Sequence, residues 1–191
     1  ETRETARVKI GVLISGRGSN LQALIDAAAV PGYPASIGLV ISNVADVEGL
    51  ARAERAGIAT KVVDHRNFED RGAFENALHA ELSAAGIELV CLAGFMRLLT
   101  EGFVSRWHDR LINIHPSLLP AFKGLDTHAR ALASGVKLHG CTTHFVTPGM
   151  DEGPIIRQAA VPVLDDDTEA SLGARVLAEE HRIYPQTLRL L

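Results

Sequence analysis

Short, almost uninterrupted apolar runs recur along this chain, each followed by a polar or glycine-bearing loop and then a stretch of helical period. The run at 8–14 reads Val-Lys-Ile-Gly-Val-Leu-Ile, and the run at 89–93 holds no polar residue but a cysteine. Runs this apolar suit parallel strands covered on both faces, and none is long enough to span a bilayer. The pattern predicts strands over 8–14, 37–41, 60–63, 89–93 and 111–114, and helices over 21–29, 47–56, 68–85 and 103–107. Gly57 and Gly86 stand just past two of those helices, where a left-handed residue closes the last turn. From residue 126 the pattern changes. A helix at 126–133 ends at Gly135, residues 138–146 alternate, and a strand at 155–163 follows a loop carrying Pro148, Gly149 and Gly153. These last two strands are expected to be antiparallel neighbours at the end of the sheet. Thr168 can cap a final helix over 169–184, which Pro185 is expected to end or kink. Such alternation implies an α/β fold: an open, mostly parallel, Rossmann-like sheet with helices on both faces and antiparallel strands near the C-terminal end.

Composition narrows the classes. The 191 residues fit a single domain, 1–191, and hydrophobic residues at 47% against 22% charged argue against disorder. Aromatics at 5% imply an aliphatic core. A net charge of −4, with Lys and Arg scattered, gives no footprint for nucleic acid. Neither a membrane span nor an N-terminal signal run is visible. Cys91 and Cys141 sit inside apolar runs and read as core thiols rather than a disulfide, so a cytoplasmic location is expected. The chain begins at Glu1 without an initiator Met, which suggests a processed or engineered end.

In open parallel sheets, ligands gather beyond the carboxyl ends of the strands. Three features fall at such ends: residues 16–20, 95–99 and 113–120. The first, Ser15-Gly16-Arg17-Gly18-Ser19-Asn20, joins a strand to a helix, where glycines allow close approach and free N–H groups favour a phosphate. The dinucleotide pattern G-x-G-x-x-G fails because Leu21 holds the third glycine position, and Ser42 and Asn43 stand where an acidic ribose ligand is wanted. A single phosphate monoester fits better; a glycine-rich turn without a ligand is the plain alternative.

The third feature, Asn113-Ile114-His115-Pro116-Ser117-Leu118-Leu119-Pro120, delivers an amide and an imidazole two residues apart, on one side of a strand end. Two N–H donors so placed suit a developing oxyanion, and a carboxylate such as Asp151 suits a histidine that must be charged near neutrality. Spacing alone does not bring Asp151 to His115; a turn carboxylate is the other reading. Among the remaining histidines, His65, His79 and His108 read as surface residues, and His128 as a residue at a helix start. His139 and His144 flank Gly140-Cys141-Thr142-Thr143, but no ligand spacing supports a metal, so none is expected. His144 shares a strand face with Thr142, and both read as polar residues behind the site.

Taken in order, 12–23, 92–97, 113–120, 139–146 and 151–156 resemble the folate-dependent glycinamide ribonucleotide formyltransferase family, over about 8–184. The Asn-x-His-Pro-Ser motif with the later Asp specifies only the formyltetrahydrofolate-using superfamily, and the Gly-Arg-Gly-Ser-Asn loop is the discriminating piece. The resemblance implies transfer of a formyl group from 10-formyltetrahydrofolate, as cosubstrate, to the glycyl amine of glycinamide ribonucleotide. It implies catalytic roles for Asn113, His115 and Asp151, and phosphate contacts from Gly18, Ser19 and Asn20. Glu180 matches a ribose-binding position. The pterin pocket falls to Met96, Arg97, Leu98 and Leu99, with Asn113 and the loop Thr147, Pro148, Gly149, Met150 and Asp151. Arg71 matches an arginine on the folate side, where it could meet the anionic glutamyl tail. On this reading a phosphate-binding half covers about 8–110 and a folate and catalytic half about 111–191; a homodimer is compatible with the sequence. A deformylase releasing formate, a tRNA formyltransferase with a second basic domain, and a non-catalytic nucleotide-binding module are the rival readings. The family usually continues somewhat past the final helix, whereas this chain stops at Leu191, which leaves open whether a tail is missing or trimmed.

Overall fold

The computed structural model describes residues 6–191. Its elements follow one another as β1 (Val8–Ile14), α1 (Ser19–Ala28), β2 (Ala35–Ser42), α2 (Glu48–Arg55), β3 (Thr60–Val62) and α3 (Arg71–Ala84). Then come β4 (Leu89–Leu92), α4 (Glu101–Arg106), β5 (Leu111–His115), α5 (Thr127–Ser134), β6 (Leu138–Phe145), β7 (Ile155–Pro162) and α6 (Glu169–Leu190). A single 3-10 turn, His65–Asn67, leads into α3. The strands form one sheet in the order β3-β2-β1-β4-β5-β6-β7. β1 to β5 pair in parallel, while β6 runs antiparallel to both β5 and β7. This is the expected mixed, Rossmann-like architecture.

The sheet is apolar on both faces because helices cover both. Val12, Ile14, Val40, Cys91, Ile112 and Ile114 point into one core, which α1 and α6 close with Leu21, Leu24, Leu172 and Val176. Leu13, Leu39, Ile41, Val90, Leu92 and Leu111 point into the other, closed by Phe74, Leu78 and Leu82 of α3 and Phe103 of α4. Adjacent strand residues thus feed opposite cores, which is why the runs read as continuous rather than alternating. Cys91 and Cys141 are buried free thiols.

Two expectations need correction. Pro185 does not end α6, which runs on to Leu190. Proline removes one helical N–H, but the turn after it is anchored by burial. Thr187 and Leu188 are buried, and the Thr187 hydroxyl bonds the Ile183 carbonyl and Thr143. Neither His79 nor His65 is a surface residue: each is half-buried, with its ring edge-on to Trp107 and to Phe74 respectively. Thr168 does cap α6, in a reciprocal capping box with Ser171.

Tyr184, fully buried on α6, donates its hydroxyl to the Leu92 carbonyl at 2.8 Å. That bond ties the last helix to the end of β4, from which a candidate site loop leaves. Tyr184→Phe is expected to cost about 1–2 kcal/mol of unfolding free energy in urea, the worth of a buried hydroxyl hydrogen bond; an unchanged midpoint would contradict this.

Candidate active site

Because β1, β4 and β5 lie side by side and parallel, their carboxyl ends meet at one edge of the sheet. β1 is also where the strand order reverses, with β2 on one flank and β4 on the other. A cavity of about 210 Å³ opens there, lined by Gly16, Arg17, Gly18, Ser19, Asn20 and Gly94. Gly18 is the N-cap of α1, with φ +73 and no side chain capping the first turn. A Cβ on Gly18 would stand 2.7 Å from the Gly49 Cα, so only glycine lets this loop lie against the start of α2. The leading N–H groups of α1 are left to face the cavity.

Glu180 reaches this loop from α6: the Asn20 Nδ2 donates to Glu180 Oε1 at 3.2 Å. The Glu180 residue is 7% exposed. Burial raises its pKa to about 7, against the smaller opposing pull of the Asn20 hydrogen bond.

Two strands away, Asn113 and His115 stand opposite His144 and Thr142 in the β5–β6 register. His144 Nδ1 lies 3.0 Å from the Phe145 carbonyl, which can only accept, so that nitrogen carries the proton and Nε2 is bare. The Asn113 Nδ2 then donates to Nε2 at 3.5 Å. Burial lowers the pKa of His144 and keeps it neutral, as an acceptor must be. His115 is nearly buried, with Nε2–H donating to the Phe122 carbonyl at 3.0 Å and Nδ1 3.6 Å from Asp151 Oδ2. The same Asp151 oxygen accepts from the Gly124 N–H at 2.9 Å. Sequence spacing left this pairing open, and the fold closes it.

The segment after His115 is stitched in place. Thr142, buried, donates to the Ser117 carbonyl and accepts from Leu119 N–H and from Gln158. Thr127 donates to the Pro116 carbonyl. Phe122 and Asp151, the residues on either side of His115, both have positive φ, +51 and +52. Non-glycine residues hold that conformation only where their surroundings enforce it.

The other anticipated residues lie on the loops around this edge. Met96 and Leu98 follow β4 and are exposed, while Arg97 between them and Leu99 after them are half-buried. Thr147, Pro148, Gly149 and Met150 lead into Asp151. Arg71 opens α3; neither it nor Arg97 makes a side-chain hydrogen bond or ion pair among the described residues. His139 turns away from His144 and pairs with His128, Nε2 to Nδ1 at 3.0 Å. Burial, then the His128 charge, lowers the pKa of His139 to about 4. Among the described residues, no three His, Cys, Asp or Glu side chains gather as metal ligands do, and no helix is long and apolar enough to cross a membrane.

Sequence reasoning assigned nothing to the Phe122 carbonyl, Gln158, Ser15 or Glu75. Glu75 had a readable signal: it sits beside Phe74 and three and seven residues before Leu78 and Leu82, on the buried side of α3.

A cavity at a helix start, on the same sheet edge as a histidine–carboxylate pair and an amide two strands away, is the layout of a group-transfer enzyme of the formyl transferase class. Residues 8–188 match the formyl transferase family, and the chain belongs to it. It is 49% identical over 178 residues to the phosphoribosylglycinamide formyltransferase of Escherichia coli, covering 93% of this chain and 84% of that protein. The human trifunctional purine biosynthetic protein adenosine-3 is 50% identical over 188 residues, and this chain spans 19% of its length. A crystal structure of phosphoribosylglycinamide formyltransferase from Brucella melitensis superposes with a TM-score of 0.92 at 54% identity, covering 96% of this chain and 94% of that one.

The Glu180 carboxyl yields a pH test. Its pKa rises from 4.5 to about 7 on folding, so between those values the folded chain holds a proton that the unfolded chain has lost. Its contribution to stability therefore falls as pH rises through that window, by up to ~3 kcal/mol at about 1.4 kcal/mol per unit. Across pH 4.5 to 8, Glu180→Gln is expected to lose that part of the slope of Tm against pH. Parallel slopes in the two proteins would refute the assignment.

Proposed function

We propose that this chain transfers the formyl group of 10-formyltetrahydrofolate to the glycyl amine of glycinamide ribonucleotide, in purine synthesis. The observation that carries the reading is the pairing of His115 with Asp151 beside Asn113, two strands over from the glycine-bearing loop at α1, in a chain of the formyl transferase family. A soluble cytoplasmic enzyme in one domain, with the two ligands sharing one sheet edge, is part of the same proposal.

The chemistry divides between the two sides. Gly18, Ser19 and Asn20 take the substrate phosphate, and Glu180 accepts from a ribose hydroxyl. Met96, Arg97, Leu98, Leu99 and the loop 147–151 receive the pterin, and Arg71 the anionic tail. The amine attacks the formyl carbon and makes a tetrahedral oxyanion. The Asn113 Nδ2 has a second N–H free for that oxygen, and the His115 Nε2–H reaches it by exchanging the Phe122 carbonyl for it. Asp151 stabilises the imidazolium across Nδ1. The C–N bond to the folate then breaks: the proton leaving the amine ends on the departing nitrogen, relayed through His115 and an Asp151-bound water. Thr142 and His144 act only through the groups they hold.

The test is an absorbance assay with 10-formyl-5,8-dideazafolate and glycinamide ribonucleotide. Turnover that requires the nucleotide is expected; turnover without it would mean hydrolysis of the donor and defeat the reading. His115→Ala and Asp151→Asn are each expected to lower kcat by ~10²-fold or more with the fold retained, on the scale of a lost oxyanion donor or proton relay. Wild-type turnover in either variant would remove that residue from the mechanism.

A further inference from the structure

The loop that leaves β4, residues 93–100, is anchored at both ends by side chains that no sequence motif marked. At its start, the Met96 N–H donates to the Ser15 hydroxyl at 2.8 Å, and that hydroxyl donates to Asn43 Oδ1 at 2.5 Å. Asn43, buried at the end of β2, donates through Nδ2 to His65 Nδ1 at 3.3 Å. At the far end of the loop, the Thr100 N–H donates to Glu75 Oε2 at 2.7 Å, and the Thr100 hydroxyl bonds the other carboxylate oxygen. Glu75 is 3% exposed, and both its oxygens are spent on this one residue. Thr100 is the N-cap of α4 and makes no capping bond with its own side chain; Glu75 takes the hydroxyl instead. The His65 ring lies edge-on to Phe74, the neighbour of Glu75. A chain of contacts therefore runs from one anchor of the loop to the other, through Ser15, Asn43, His65, Phe74, Glu75 and Thr100.

We propose that Ser15 and Glu75 are positioning residues for the formyl donor, holding the backbone of 96–99 so that Met96 and Leu98 stand open to the pterin. This rests on the functional reading above and deepens it. Two observations favour it over plain stabilisation of the fold. Met96 and Leu98 are 68% and 64% exposed, so their own side chains do little to hold the loop. The groups that do hold it bond the Met96 N–H and the N–H and hydroxyl of Thr100, so they leave the side chains of Met96 and Leu98 free while Leu99 packs on the core. Ser15 also directly follows β1 as the first residue of the glycine-bearing loop, so one hydroxyl joins the walls of the two ligand sites.

The test is titration calorimetry on the whole chain with two probes, 5,8-dideazafolate for the donor side and glycinamide ribonucleotide for the other. Ser15→Ala and Glu75→Gln are expected to weaken the folate analogue about tenfold, the size of one lost hydrogen bond. Glu75→Gln, far from the phosphate loop, should leave nucleotide affinity within about twofold of the parent, and Ser15→Thr, which keeps the hydroxyl, should restore folate binding to within about twofold. In steady state the Glu75→Gln loss should fall on the donor KM rather than on the nucleotide KM. Parental folate affinity in both variants would overturn the proposal, and so would an equal loss of both ligands in Glu75→Gln, which marks general structural damage. A parent protein that binds the analogue but does not formylate the nucleotide would sink the functional reading alone; the binding ratios would still decide the loop assignment.

Discussion

Parallel pairing of β4 with β1 on one side and with β5 on the other puts three strand ends on one edge of the sheet. Each end carries different chemistry: free helix N–H groups after β1, exposed apolar side chains after β4, an amide and an imidazole at the end of β5. Parallel strands are joined by crossover helices that lie on the sheet, so both faces are covered and the strands must be apolar throughout. The same requirement leaves the edge itself as the place where polar groups can collect. Reverse one of these strands and its loop would move to the opposite end of the sheet.

The antiparallel half does different work. β6 runs back along β5 and sets His144 opposite Asn113 and Thr142 opposite His115. Each β5 side chain thereby gains support from a buried partner: His144 orients the Asn113 amide, and Thr142 holds the segment that follows His115. The chain then returns over the site and lays Asp151 against His115. The cost of this arrangement is visible in two residues, Phe122 and Asp151, held at positive φ on either side of the imidazole. Strain of order 1–3 kcal/mol at each is offset by the bonds that hold them, Gly124 N–H to Asp151 and His115 Nε2–H to the Phe122 carbonyl.

Burial also sorts the titratable groups. His139 and His144 are pushed toward the neutral form, so each can accept a hydrogen bond without adding positive charge near His115. Glu180 is pushed up toward neutrality of solution, where it can exchange a proton or an acceptor role with little penalty. His115 alone among the buried histidines faces a carboxylate, Asp151, at ion-pair distance.

Much of this was legible without coordinates. The run 8–14 is β1 to the residue, because a charged stretch ending at Arg7 precedes it and a glycine-bearing polar loop follows it. Gly57, Gly86 and Gly135 all sit at positive φ past their helices, since a left-handed closing residue is a local, steric demand. Asn113 and His115 were readable as a pair because the period of a strand is two. What lay beyond local rules was missed or open. Pro185 remains inside α6 because Thr187 and Leu188 are buried against other elements. The reach of Asp151 to His115 crosses 36 positions and depends on how a loop folds back over β5. Ser15, Asn43, His65 and Glu75 come from four separate segments, and nothing in any one of them announces the others. The sequence by itself determined the alternation of strands and helices, the glycines that close helices and the residue types at the strand ends, because these follow from periodicity and backbone sterics. Which side chains meet was decided only by the tertiary structure, because hydrogen bonds between distant segments exist only once the sheet has set their register.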